Sequence, residues 1–228
     1  MSSSMAKSML AEAVGALALI FLGAGSVIAD QLSGGTVGLV GIAFAHGLAI
    51  ATMVAAVGHV SGGHFNPAVT LAFLATSRLS ASRALRYVAA QLAGAVVAAW
   101  LLTLAFPAGA RQAVDLGTPV LAQGLRPGAG ILVEAVLTFF LVFVIFGVAV
   151  DARGPRAVAP LAIGFVIAMD ILAGGVLTGG AMNPARAFGP ALIAGRWANQ
   201  LVYWIGPAVG AVLAAWVYQW LMEGESGR

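Results

Sequence analysis

The chain has 228 residues, of which 8% are charged and 61% apolar, against roughly a quarter charged in an ordinary soluble domain. Water cannot solvate most of such a surface, so a polytopic membrane protein follows; with no cysteine, disulfides and thiolate sites are excluded, and three scattered histidines make a poor metal cluster. The net charge of +3 rests on 11 Lys and Arg placed mostly between apolar runs, as orientation signals are, so neither a nucleic-acid partner nor a cofactor is expected.

In chain order, six runs are long enough to be transmembrane helices: Met9 to Ala29, Val37 to Gly58, Ala84 to Phe106, Gly130 to Val150, Val158 to Val176 and Leu201 to Leu221. A hydrocarbon core about 30 Å thick needs ~20 helical residues. Lys7 ahead of the first run imitates a signal peptide, but the run is too long, contains Glu12 and is followed by others like it. It is expected to remain as the first helix. Two further apolar stretches, Phe65 to Ala75 and Met182 to Ala194, are too short, since ~11 residues at 1.5 Å each cross only half the core. They are expected to be re-entrant half-helices. Arg78, Arg83, Arg86, Arg153 and Arg156 lie in the second and fourth linkers, with Lys7 and Arg228 at the termini, whereas Asp30, Arg111, Asp115, Arg126 and Arg196 form a mixed set on the other face. By the positive-inside rule both termini are expected on the cytoplasmic side, and the membrane expected is the plasma (cell inner) membrane.

The chain repeats itself. SGGHFNPAVT around Asn66 returns as TGGAMNPARA around Asn183, GAVVAAW before Trp100 returns as GAVLAAW before Trp216, and the EAV at Glu12 returns at Glu134. The repeats cover approximately residues 8–107 and 129–222 of one domain spanning 1–228. Each holds three spans, an odd number, so the second is inverted relative to the first. The fold expected is an all-α membrane protein of six transmembrane helices and two half-helices entering from opposite faces.

Asn66-Pro67-Ala68 and Asn183-Pro184-Ala185 each open a half-helix. Asn caps a first turn and Pro fits its first position, where no N–H is needed. Two such starts meeting at mid-membrane bring together about half a positive charge each, which repels cations. If each Asn carbonyl caps its helix, the NH₂ is free to donate to a passing water and interrupt a proton wire. Gly62, Gly63, Gly179 and Gly180 before the motifs allow extended backbone to line a cavity with carbonyls.

One such tripeptide is weak evidence; two at matched places in an inverted repeat are strong. With the paired glutamates and the six-plus-two layout, they resemble the aquaporin (major intrinsic protein) family over nearly the whole chain. That resemblance implies a passive channel for water and small uncharged solutes, not an enzyme, assembled as a homotetramer with one pore per subunit. It also implies a narrow constriction at Arg186, three residues past Asn183, with His46, Ile171 and Gly180 as its partners. Phe44 cannot replace His46, because two residues turn a helical side chain by about 200°. The four residues are similar to those of plant vacuolar (tonoplast) aquaporins and of the ammonia-permeable aquaporin-8-like branch. Ammonia and hydrogen peroxide therefore join water as expected solutes. Glycerol channels resemble a pattern with Asp after the arginine and no aromatic pair opening the sixth helix; here Ala187, Tyr203 and Trp204 stand there. Glu12 and Glu134 are expected to brace the re-entrant loops rather than relay protons. His64 matches a pore-lining position, His59 is an interfacial histidine, Gly94 and Gly210 allow close helix packing, and Asp170 either lines the pore or braces loop backbone. A coupled secondary transporter shares inverted repeats and broken helices, but needs a larger polar site than these residues supply.

Overall fold

A computed structural model describes residues 4–223; Arg228, counted above among the orienting charges, lies outside them. The helices are α1 (Met5–Leu32), α2 (Gly38–Ser61), the half-helix α3 (Pro67–Ala75), α4 (Ala81–Ala105), the short α5 (Ala108–Ala113), α6 (Pro127–Val150), α7 (Arg156–Thr178), the half-helix α8 (Pro184–Ala194) and α9 (Val202–Met222). Six of these are long and apolar enough to cross a membrane. Ser4 caps α1 by accepting from the backbone N–H of Lys7, and Ser80 does the same for α4 with Arg83. Both helices therefore start several residues before their apolar runs.

The outer surface carries large exposed side chains, among them Leu10, Leu85, Leu132 and Trp220. In water this would be untenable, but in lipid it is the ordinary state of a helix exterior. Inside, small residues let backbones close up. A Cβ at Gly94 would collide with the carbonyl of Ala13, and one at Gly210 with the carbonyl of Ala135, so α1 packs on α4 as α6 packs on α9. The middle spans α2 and α7 cross through Gly47 and Gly164, each of which would strike the other's carbonyl if given a Cβ. These two glycines are 117 residues apart, the same offset as the two Asn-Pro-Ala motifs. Residues that correspond by repeat also touch, as an inverted pair of halves around an in-plane axis requires.

α2 ends on Gly62 and α7 on Gly179, both in the left-handed region at φ 102° and 83°, where any other residue would be strained. From there the chain dips inward, turns at Phe65 and Met182 (φ 50° and 52°), and starts the half-helices near the centre. Phe65 and Met182 were expected inside the half-helices. They are instead the last loop residues, since left-handed backbone cannot begin a right-handed helix.

Candidate functional site

Asn66 and Asn183 stand in extended conformation one residue before the half-helices. The Asn66 side-chain carbonyl accepts from the N–H of Ala68 at 2.8 Å; that of Asn183 accepts from Ala185 and Arg186 at 3.0 and 3.3 Å. Pro67 and Pro184 follow at the first helical position, where no N–H is missed. Their NH₂ groups are not wholly free, contrary to expectation. Asn66 donates one hydrogen to the carbonyl of Met182 (2.9 Å), and Asn183 donates one to the carbonyl of Phe65 (3.0 Å). These crossed bonds hold the two starts against each other. One hydrogen on each amide remains for a ligand.

The two glutamates are buried completely and face the loops. Glu12 accepts from the hydroxyl of Ser61 (2.6 Å) and the N–H groups of His64 (3.0 Å) and Phe65 (2.6 Å). Glu134 repeats this with the Thr178 hydroxyl (2.6 Å) and the N–H groups of Ala181 (2.9 Å) and Met182 (2.7 Å). Tyr87 and Tyr203 donate to the carbonyls of Ser61 and Thr178. Buried carboxylates persist because charge-assisted bonds offset their desolvation. The halves differ in what else reaches the glutamates. Gln91 donates to Glu12 at 2.7 Å, whereas 116 residues on stands Pro207, which has no polar side chain.

A cavity of about 360 Å³ runs past these loops, many times the ~30 Å³ of one liquid water. Its wall includes Asn66, Asn183, Gly62, Gly63, His64, His46, Ile171, Gly180 and Arg186. Apolar stripes four residues apart complete it: Ile50 and Val54 below His46 on α2, Ile163 and Ile167 before Ile171 on α7, and Leu141, Ile145 and Ala149 on α6. His46 and Ile163 are matched places in the two halves, as are Val54 and Ile171, so the α2 stripe has a polar end where its α7 counterpart is isoleucine throughout. Pro67, Ala68, Pro184 and Ala185 are buried behind the loops.

At one end of the cavity Nδ1 of His46 lies 2.8 Å from the carbonyl of Ile42, and Nε2 lies 3.2 Å from Nε of Arg186. A carbonyl only accepts and a guanidinium only donates. The ring therefore carries its proton on Nδ1, accepts on Nε2 and is neutral. Nη1 of Arg186 donates to the carbonyl of Gly117 at 2.8 Å, and Nη2 has no partner among the described residues, which leaves it a donor toward the cavity. A Cβ at Gly180 would press on Ile171 at 3.2 Å, so the side of the opening facing Arg186 is small and apolar.

Three placements differ from the sequence expectations or escaped them. Asp170 is not on the cavity wall, nor does it bond loop backbone: it is buried, with Oδ2 lacking any partner among the described residues. The cause is rotation, since one residue from the wall-lining Ile171 turns a side chain by about 100°. Arg78 lines the other mouth, with its guanidinium 5.8 Å from the ring centre of Phe146. The carbonyl of Gly117 comes from a turn in which Asp115, Leu116 and Gly117 are all left-handed (φ 46°, 58° and 72°). Arg78 had a signal, three residues past a half-helix that ends at the pore mouth; the Gly117 turn had none. Phe44 faces outward against Phe165, and His59 is exposed.

Comparisons with known proteins give the family and the fold. Residues 1–218 match the family model described as Major intrinsic protein. "Aquaporin TIP4-4" of Zea mays is 48% identical over 97% of this chain and 89% of its own, and "Probable aquaporin TIP3-2" of Arabidopsis thaliana is 44% identical over 95% and 84%. The crystal structure of the aquaglyceroporin from Plasmodium falciparum superposes with a TM-score of 0.79 at 21% identity, covering 96% of this chain and 97% of that one, a likeness of fold.

Proposed function

The chain belongs to the major intrinsic protein family, and we propose that it is a passive channel which conducts water and, through a permissive constriction, ammonia and hydrogen peroxide. The observation that carries this is the four-sided opening of His46, Arg186, Ile171 and Gly180 at one end of a single cavity. Two polar sides strip a small neutral solute of water while offering replacement hydrogen bonds. The two remaining sides, an aliphatic chain and a glycine, leave room and make no demand on the solute. His46, as a neutral acceptor already engaged by Arg186, adds no second charge. Arg186 and the two half-helix starts repel cations, and the one hydrogen remaining on each Asn amide orients water oxygens toward the centre, which breaks proton relay.

Roles follow for the other candidates. His64, Gly62 and Gly63 line the path, Glu12 and Glu134 brace its loops, and Arg78 borders the opposite mouth. A small-polyol facilitator for glycerol or urea is the second reading. Ala187, Tyr203 and Trp204 speak against it, and the two plant relatives carry the name aquaporin. A coupled transporter would need a polar site that the apolar stripes do not supply. We further propose a homotetramer in the plasma (cell inner) membrane with both termini cytoplasmic, each subunit one domain of two repeats.

Stopped-flow light scattering on reconstituted vesicles tests the solute range in one series: water, ammonia, hydrogen peroxide, urea and glycerol. Fast water and ammonia flux with little glycerol flux is expected. Water flow with no ammonia flux above protein-free vesicles overturns the permissive constriction; saturation, or dependence on an ion gradient, overturns the channel.

A further inference from the structure

Away from the pore, where α4 ends, a recess of about 210 Å³ lies between Thr103, the short helix α5 with Arg111 and Gln112, the turn at Asp115, and Ile193 and Arg196 at the end of α8. Two cations meet one carboxylate here. Nε of Arg196 donates to Oδ1 of Asp115 at 2.7 Å. Arg111 has no side-chain partner among the described residues, and its Nε is enclosed. The carbonyl end of α8 explains why Arg196 is attracted to this corner, but it gives Arg111 no acceptor within hydrogen-bonding reach. Arg111 is partly exposed, with its Nε enclosed and aimed into a recess that Arg196 also borders, and an acceptor oxygen bearing negative charge is the group that two neighbouring guanidiniums bind best.

The surroundings specify what carries the oxygen. Thr103 sits on α4 between Trp100 and Leu104, which are 51% and 65% exposed, and Leu192 of α8 and Trp197 just beyond it are exposed beside them. A cationic recess thus opens directly above an apolar, aromatic-edged skirt on the membrane-facing side of two helices. Phosphate oxygens a few ångströms above hydrocarbon chains are the chemistry of a phospholipid, and a guanidinium fork matches a phosphate in geometry and charge.

We propose that this recess binds the phosphate of a lipid headgroup, with Arg111 and Arg196 donating to its oxygens and the acyl chains lying along α4 and α8. Arg196 is then shared between the phosphate and Asp115. Asp115 is two residues before Gly117, whose carbonyl holds Arg186, so the bound lipid steadies the turn that positions the pore arginine.

The test uses the full chain in an uncharged detergent, with native mass spectrometry to count bound lipid and thermal unfolding to measure protection. The probes are phosphatidylglycerol, diacylglycerol with the same chains, and soluble glycerol phosphate. R111Q and R196Q remove the proposed donors; R126Q removes a charge from an exposed arginine on the same membrane face outside the recess and serves as control. The expected result is that wild type and R126Q retain phosphatidylglycerol but not diacylglycerol, while R111Q and R196Q bind it about tenfold more weakly or worse. Protection by glycerol phosphate at the same concentration keeps the phosphate site and overturns the lipid as its source. Equal retention by wild type and R111Q, or equal retention of diacylglycerol, overturns the proposal.

Discussion

The two buried glutamates look interchangeable, yet their replacement by glutamine is expected to have unequal effects. In Glu134→Gln the amide oxygen can still accept from Thr178 and Ala181, but the new NH₂ replaces the oxygen that accepts from Met182. Two donors are then stranded in a dry site, the NH₂ itself and the Met182 N–H. At ~1–3 kcal/mol for each stranded group, the loss is about 2–6 kcal/mol. In Glu12→Gln the same exchange strands the N–H of Phe65, but the new NH₂ has an acceptor nearby. Oε1 of Gln91 is buried with no partner among the described residues, and turning that amide over presents it to residue 12. The turned amide carries its own NH₂ into the place where Oε1 had no partner, so two donors are stranded, but the Oε1 left unpaired in wild type is now satisfied; the net loss is one group, and Glu12→Gln costs ~1–3 kcal/mol, less than its counterpart by one group. Pro207 offers no such rescue at the matched place. Thermal unfolding of the purified protein, paired with vesicle water permeability, measures both variants; Glu12→Gln should melt higher and conduct better than Glu134→Gln. Adding Gln91→Leu should erase the difference. Equal losses, or a greater loss for Glu12→Gln while Gln91 is present, would refute the reasoning from hydrogen-bond supply.

Three other outcomes follow from single contacts. His46→Phe should lower ammonia flux more than water flux in vesicles, because the ring can no longer accept from Arg186 and a larger ring must press on Gly23, which lies directly against it; equal loss of both fluxes counts against His46 as the filter. Gly210→Leu should prevent α6 and α9 from meeting at the Ala135 carbonyl and abolish the monodisperse peak in size-exclusion chromatography, whereas Gly109→Leu, with open space around it, should leave that peak intact. Asp151 lies in the loop after α6, and its carboxyl is held well below the usual carboxylate range, chiefly by hydrogen bonds from the Arg153 guanidinium and then from the Arg153 N–H. A depressed native value stabilises at pH above the ordinary Asp pKa of about 4 and is lost as acid protonates the native carboxylate. Wild type should therefore melt above Asp151→Asn by a constant margin from pH 5 to 8, and the margin should shrink below about pH 4; a margin that grows in acid contradicts the sign.

The spans were legible because hydrocarbon demands long apolar runs and nothing else in the chain imitates them. Their ends were less so. α1 starts at Met5 rather than Met9, and α2 runs to Ser61 rather than Gly58, since small polar residues continue a helix without raising its hydropathy. The half-helices were legible in existence but not in first residue, as the left-handed Phe65 and Met182 carry no Gly or Asn to announce them. The loop-bracing contacts of Glu12 and Glu134 followed from the repeat. Asp170 did not, because a lone acid on a buried helix gives no rotation angle until its neighbour's face is fixed. The carbonyl of Gly117 belongs to backbone, and a turn outside both repeats has no second copy to reveal it.

The crossed amides also bear on how such a chain is made. Asn66 satisfies its side chain on Met182, and Phe65 awaits Asn183, across sequence separations of 116 and 118 residues. When the first three spans have left the ribosome, the first re-entrant loop has its glutamate but not its opposite number, and a polar turn near mid-bilayer stays unfinished until the last quarter of the chain arrives. Contacts of such long range are slow to close. The cavity is thus among the last parts of the molecule to be completed, since a chain that ends before Met182 lacks Met182, Asn183 and Arg186 from its wall.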